Sequence, residues 1–309
     1  MSLNLLFVGT DDDWAIFGPS LMDALSDIGI PFDLARDHDA AQTDYIIMAG
    51  SRIIDDFSPF TRCKALLRLW AGVEDIVRND TIKMPIARMV GGGLDAGMVE
   101  WVTAHVLRYH IGMDAHIHGQ DGIWRDGVTP PLASARPVTI LGLGALGTAC
   151  AQALTALGFP VTGWSRSPKH VDGVHCMSGP VSDALTDAQI VVLLMPLTPN
   201  TKNVIDANAL NQMANGAFLL NPGRGPLIKD EDLLAALDSG QIAHATLDTF
   251  RIEPLPADHA YWSHPNVTVT PHIASATRPD IAAKVIAQNV QRGETGAPFL
   301  HLVDRTQGY

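Results

Sequence analysis

Apolar residues along this chain come in short runs, separated by polar and glycine-containing stretches. In the first third, the runs at 3–8, 45–49 and 66–70 predict strands. The segment 19–28, closed by Gly29, predicts a helix. Strands alternating with helices argue for a parallel α/β layer. The G-G-G at 91–93 interrupts this pattern as a hinge or loop. Beyond it, Met98, Trp101, Val102, His105, Val106, Tyr109 and Ile111 recur near helical spacing, which predicts one helix over 96–118.

A second series is more regular. Strands are predicted at 137–141, 161–164, 190–195, 217–220, 245–247 and 267–270, with a helix at 146–157 closed by Gly158. The run at 190–195 is apolar throughout, as a central parallel strand buried on both faces requires. The segment 280–291 is helical and is expected to return to the first unit. The predicted fold is therefore α/β, with two Rossmann-like or flavodoxin-like parallel-sheet domains and an active-site cleft between them. Residues 1–97 and 278–309 would form a discontinuous outer domain for substrate, and 98–277 a dinucleotide-binding domain.

Composition narrows the class. The chain has 309 residues, enough for two separate cores. With 47% hydrophobic and 17% charged residues it belongs with well-packed soluble proteins, not disordered ones. Its net charge of −12 repels phosphate backbones and argues against nucleic acid as a partner. No apolar run approaches the roughly 20 residues of a membrane span. The opening M-S-L-N-L-L-F-V-G-T lacks a basic region and a small-residue cleavage site, so a first strand is expected there, not a signal peptide. Cys63, Cys150 and Cys176 are isolated and odd in number, which fits reduced thiols in the cytoplasm.

Residues 138–147 read V-T-I-L-G-L-G-A-L-G. Gly142, Gly144 and Gly147 make G-x-G-x-x-G between a predicted strand and a predicted helix, the context that turns a weak motif into a dinucleotide fingerprint. Ala145 and Leu146 complete the loop. Its first glycine permits a tight turn, its second admits a pyrophosphate, and its third lets helix pack on strand. The next strand runs into W-S-R-S-P-K rather than an acid. A carboxylate there would bind the ribose 2′-hydroxyl of NAD. Ser165, Arg166 and Ser167, with Lys169 nearby, suit a 2′-phosphate instead. The reading favours NADP(H) over NAD(H).

Three further segments carry chemistry: L-N-P-G-R-G-P-L with Arg224, L-D-T-F-R-I-E-P-L-P with Asp248 and Glu253, and T-P-H-I-A-S-A-T with His272. Each follows the carboxyl end of a predicted strand, the edge where open α/β sheets bind ligands. An arginine can clamp a carboxylate and polarise a neighbouring carbonyl. A histidine beside a glutamate can deliver a proton near neutral pH. Together these predict hydride transfer to a 2-keto acid.

In their order and spacing these motifs, with G-L-G-A-L-G and M-P-L-T-P-N-T, make the chain resemble the D-2-hydroxyacid dehydrogenase family over nearly its whole length. W-S-R-S-P-K and the terminal V-D-R-T-Q-G-Y are most similar to its glyoxylate/hydroxypyruvate reductase A branch. The resemblance implies that Arg224 binds the substrate carboxylate and carbonyl. It makes His272 the proton donor in reduction, with Glu253 its hydrogen-bond partner. It puts Asp248 at the nicotinamide carboxamide and Pro196, Pro222 and Gly223 along the cofactor cleft. It also has Gly72 and Val73, in W-A-G-V-E-D, offer backbone N–H groups to the substrate carboxylate, and it implies a homodimer. Three departures stand out. Trp70 replaces a small residue before A-G-V, Gly50-Ser51-Arg52 lacks an aromatic, and Lys229 replaces a frequent aspartate.

The competing readings are an NAD-dependent enzyme for a bulkier keto acid and a dinucleotide sensor without turnover. A sensor needs the glycine loop but no proton donor. A metal enzyme built on His105, His110, His116 and His118 is disfavoured, because histidines two apart on a helix do not share a face. A formate dehydrogenase is disfavoured too, since that branch carries glutamine where Glu253 stands.

Overall fold

The computed structural model describes residues 2–50, 54–91, 93–124, 126 and 129–306. Ser51 and Arg52 of the G-S-R departure, Gly92 of the G-G-G hinge and the terminal Q-G-Y lie outside the described residues. The chain divides into two compact units, Met1–Leu94 with Thr277–Tyr309, and Asp95–Ala276. The sequence-based boundaries fall at 97/98 and 277/278.

The first unit contains β1 (Leu3–Val8), α1 (Asp11–Asp27), β2 (Phe32–Ala35), β3 (Tyr45–Met48), β4 (Ala65–Arg68) and β5 (Ile86–Ala87). The chain continues through α2 (Leu94–His110), α3 (Met113–His118), β6 (Val138–Leu141), α4 (Ala145–Ala156), β7 (Val161–Trp164) and β8 (Val174–Met177). Next come α5 (Val181–Leu185), β9 (Ile190–Leu193), α6 (Ala207–Gln212), β10 (Ala217–Asn221), α7 (Asp230–Ser239), β11 (Ile242–Leu247) and β12 (Val267–Val269). Helix α8 (Pro279–Thr295) returns to the first unit.

The first sheet runs β2-β1-β3-β4-β5 and the second β12-β11-β10-β9-β6-β7-β8, all neighbours parallel. The first is the flavodoxin-like order. Counted from β6, the second is the doubly wound order with one strand added, and its direction of winding reverses between β6 and β9. Strand β9 shows why its sequence is apolar throughout. Ile190 and Val192 enter one core, with Val138, Ile140 and Leu154, while Val191 and Leu193 enter the other, with Leu210, Leu219 and Leu233.

Two expectations are corrected. The helix predicted over 19–28 begins at Asp11. Thr10 caps it: its hydroxyl accepts from the Asp13 N–H at 3.1 Å, and Asp13 accepts from the Thr10 N–H at 2.9 Å. This capping box satisfies two orphan donors, and Pro19 is carried in the helix interior. The single helix predicted over 96–118 is two, because Gly112 takes a left-handed conformation (φ 67°) and starts α3 anew. Strands β2, β5 and β8 and helices α5, α6 and α7 add to the predicted set. Both β2 and β8 are four-residue edge strands, and β5 is a two-residue edge strand, so none has a long apolar run to announce it.

Candidate active site

Each glycine of the fingerprint has a separate steric reason. Gly142 has φ 118°, and a Cβ there would lie 2.5 Å from the backbone of Leu194 and Met195, just past β9. A Cβ on Gly147 would lie 1.8 Å from the Gly142 carbonyl oxygen. Neither position tolerates a side chain. Gly144 differs: it caps the N-terminus of α4, and nothing lies within 4 Å of where its Cβ would be. That open space at a helix N-terminus, at the point where the sheet's winding reverses, fits a dinucleotide pyrophosphate. Ala145 and Leu146 form the first turn of α4, whose amides face the same space.

The segment after β7 is organised by short-range bonds. Ser165 is buried, its N–H donates to the Met177 carbonyl at 3.0 Å, and its hydroxyl donates to the Ser167 carbonyl at 2.8 Å. Arg166 and Ser167 are exposed. Lys169 reaches back to the Leu143 carbonyl and so ties this basic segment to the glycine loop. Pro196 follows β9, where its carbonyl accepts from the Thr201 hydroxyl at 2.8 Å.

Arg224 lies in the turn after β10. Asn221, wholly buried at the end of that strand, wraps the turn: its Nδ2 donates to the Arg224 carbonyl at 3.0 Å, and its Oδ1 accepts from the Gly223 N–H at 3.2 Å. Pro222 is enclosed by this wrap. The two glycines beside Arg224 both permit close approach. A Cβ on Gly223 would lie 2.7 Å from the Leu193 carbonyl oxygen, and one on Gly225 only 2.0 Å from the Phe250 carbonyl carbon. The Arg224 turn therefore packs backbone to backbone on the segment that carries Glu253.

His272 Nδ1 meets Glu253 Oε2 at 2.8 Å, and the other Glu253 oxygen accepts from the Phe250 N–H at 2.8 Å. His272 has φ 54°, a left-handed conformation unusual for a residue with a side chain. The buried Asp248 explains how it is held. Its carboxylate accepts from the Thr270 hydroxyl at 2.6 Å and from the N–H groups of Ile273 and Ala274 at 2.9 and 3.0 Å, and its carbonyl accepts from the His272 N–H at 2.8 Å. Asp248, expected at the nicotinamide carboxamide, is thus first of all the clamp of the His272 loop. Such an over-determined strained backbone is what a reacting group on a loop requires.

The hydrogen bond to Glu253 raises the His272 pKa above its ordinary 6.5, against opposition from burial and from the positive charge of Arg224. Burial pushes the Glu253 carboxyl up, but the bonds to His272 and to the Phe250 N–H outweigh it and hold the group below 4.5. The pair favours imidazolium facing carboxylate. The histidines of α2 are different in kind. Burial, aided by the charge of Arg108, lowers His105 to about 4, so it is neutral, and its ring packs against Trp101 at a tilt of 54°, with centroids 4.3 Å apart. Among the described residues no group of three or more His, Cys, Asp or Glu is arranged to hold a metal ion.

In the first unit, Val73 is buried, and its carbonyl accepts from the N–H groups of Ile76 and Val77 at 3.1 and 2.8 Å. Gly72 precedes it. Trp70 packs edge-on against Phe17 of α1 at 5.5 Å, and its carbonyl accepts from the Met89 N–H at 3.1 Å. Lys229 finds a purely local partner, Asp232 of α7, at 2.9 Å. Sequence reasoning missed Asn221, Gly225 and Thr270. The first two stand inside L-N-P-G-R-G and share its spacing, which was the available signal. Thr270 carried none.

The D-isomer specific 2-hydroxyacid dehydrogenase NAD binding domain profile matches residues 102–274. The glyoxylate/hydroxypyruvate reductase A of Serratia proteamaculans is 39% identical over 258 residues, which are 80% of this chain and 82% of that one. A D-isomer specific 2-hydroxyacid dehydrogenase from Xanthobacter autotrophicus Py2, solved with NADPH and MES, superposes with a TM-score of 0.92 at 36% identity, over the full length of both chains. The NADPH-dependent glyoxylate/hydroxypyruvate reductase of Sinorhizobium meliloti, solved with NADP and sulfate, gives 0.87 at 29% identity, again over all of both chains. The chain belongs to the D-isomer specific 2-hydroxyacid dehydrogenase family, and it is a nicotinamide-dinucleotide-dependent oxidoreductase.

Proposed function

We propose that this protein reduces small 2-keto acids with NADPH, glyoxylate to the achiral 2-hydroxy acid and hydroxypyruvate to the D-2-hydroxy acid. The observation that carries the reading is the 2.8 Å contact of His272 with Glu253, whose loop packs on the Arg224 turn. A sensor would have no use for a histidine oriented by a carboxylate in this way. The open cradle at Gly144 supports the cofactor, and the relatives solved with NADPH and NADP support the phosphorylated form. Gly142, Gly144, Ala145, Leu146 and Gly147 would hold the pyrophosphate. Ser165, Arg166 and Ser167 would hold the 2′-phosphate, and Pro196, Pro222 and Gly223 would line the nicotinamide end.

When bound, NADPH supplies the hydride. Arg224 binds the substrate carboxylate and draws electron density towards the carbonyl oxygen. His272, protonated on the nitrogen away from Glu253, gives its proton to the carbonyl oxygen as negative charge develops there. Glu253 keeps its hydrogen bond to Nδ1 throughout, so the ring stays oriented and the charged form is favoured before transfer. In the opposite direction the neutral ring accepts the proton. We also read the protein as a cytoplasmic homodimer. Exposed apolar side chains between Ile111 and Leu132, among them Ile117 and Trp124, support self-association, which sedimentation velocity would test.

The test is loss of absorbance at 340 nm with purified protein, glyoxylate or hydroxypyruvate, and NADPH or NADH. Turnover favouring NADPH supports the whole reading. Turnover with NADH alone keeps the Arg224–Glu253–His272 roles and removes the 2′-phosphate site. No turnover with either cofactor rejects the proposed substrates.

A further inference from the structure

The segment carrying Glu253 has no ladder to hold it. It leaves β11 at Leu247 and reaches regular structure again only at the 3-10 turn Ala260–Trp262. Steric contact with Gly225 sets how closely the segment can approach the Arg224 turn, but repulsion alone cannot hold two loops together. Burial of Phe250 in the core cluster that holds Leu227 and Ile228 draws the segment in, and Arg251 adds directional contacts that fix its position. Its Nε pairs with Asp230 Oδ2 at 3.1 Å, and its Nη2 donates to Asn203 Oδ1 at 2.5 Å and to the Ile228 carbonyl. The other Asp230 oxygen accepts from the Tyr261 hydroxyl at 3.2 Å, so the acceptor is itself fixed. Ile228 follows directly on the 3-10 turn Gly225–Leu227, which Arg224 precedes as its N-cap residue.

One guanidinium thus spans three chain segments. It does so from a partly enclosed position, its side chain 29% exposed against 22% for Asp230, unlike a solvated surface pair. A planar fork with several fixed donors suits this task, and a lysine could satisfy only part of it. We propose that Arg251 is a positioning residue: its guanidinium clamps the Glu253 loop onto the segment that follows Arg224, so that carboxylate, imidazole and substrate-binding guanidinium keep one mutual geometry. The inference rests on the roles assigned above to Glu253 and His272. Because Glu253 also closes its own turn through the Phe250 N–H, release at Arg251 moves that turn as a unit and takes the carboxylate away from His272.

The experiment compares the wild type with Arg251→Met, which keeps the stem and loses the donors, and with Arg251→Lys. The His272 ring is titrated by NMR in the whole folded protein. The charged groups that face this ring are Glu253, Asp248 and Arg224, and none of them is altered in either variant. The expected result is a lower titration midpoint in Arg251→Met and an intermediate one in Arg251→Lys. Glyoxylate reduction is expected to lose about 10-fold in kcat, with the KM for NADPH within about two-fold. A lower melting temperature with unchanged midpoint and unchanged kcat would show a merely structural residue and overturn the proposal. Should Arg251→Met not fold, Arg251→Lys is judged by the same readings. The titration needs no turnover, so a wild type that reduces no keto acid would remove the proposed substrates while the midpoint still judges the clamp.

Discussion

Replacing Gly225 by alanine tests the central contact of the site. The Cβ would fall 2.0 Å from the Phe250 carbonyl carbon and 2.4 Å from its Cα and carbonyl oxygen. All three are backbone atoms, so no side chain can rotate away. Restoring an ordinary 3.4 Å contact requires the two segments to separate by about 1.4 Å. Arg224 is the neighbour on one side. On the other, the Phe250 N–H is bonded to Glu253. The displacement therefore opens the distance between the group that binds substrate and the pair that supplies the proton. A misplacement near 1 Å costs on the order of 100-fold in rate, or about 2.7 kcal/mol of transition-state stabilisation. We expect Gly225→Ala to lose at least that much in kcat for glyoxylate with NADPH, followed at 340 nm. NADPH affinity, measured by fluorescence titration, should change far less, because the fingerprint loop is untouched. A folded variant with kcat within about three-fold of wild type would refute the argument that these two segments must touch.

Further outcomes follow from the structure. Reduction needs charged His272, whose pKa is raised, so the reductive rate should fall only above the ordinary value of 6.5; Glu253→Gln should bring that fall to lower pH in a pH–rate profile. The pair's share of stability is present from His272 below 6.5 and is lost as pH rises through the raised value, and from Glu253 it is present above 4.5 and lost as pH falls through the lowered one. Gly144→Ala meets open space at φ −73°, so it should melt like wild type yet bind NADPH about 10-fold more weakly or worse by titration, whereas Gly147→Ala should not fold. Arg68 is buried and pairs with Asp75 at 3.0 Å, so Asp75→Ala should cost about 3 kcal/mol in urea unfolding, while Arg68→Met combined with Asp75→Ala should recover most of it.

Strand β9 was legible in sequence because burial on both faces leaves a continuous apolar run. The motif residues were legible because each follows the carboxyl end of a predicted strand, the edge where such sheets bind ligands. Elements that fail this condition were not. Edge strands β2, β5 and β8 bury too little to require a run, and the N-terminal half of α1 is specified by a cap rather than by periodicity. The break between α2 and α3 depends on one glycine in a left-handed conformation, which spacing alone does not reveal.

Position along the chain also conceals what a motif residue does. Asp248 and Glu253 are both acids in L-D-T-F-R-I-E-P, five apart, and sequence reasoning sent one to the cofactor and the other to the histidine. The fold makes them partners in one task. Asp248 fixes the backbone of residues 270–274, and Glu253 fixes the ring that this backbone presents. Neither suffices alone. A ring hydrogen-bonded to Glu253 on an unclamped loop would swing with it, and a clamped loop without Glu253 would leave the ring free to rotate. The left-handed conformation of His272 is the sign that both constraints act. A residue with a side chain takes φ 54° against a steric penalty, and the four hydrogen bonds from residues 270–274 to Asp248 offset it. Pro271 stands between the end of β12 and His272, where its missing N–H bars the ladder from continuing. The Pro-His pair is thus the junction at which a strand becomes a rigid mount for a proton donor.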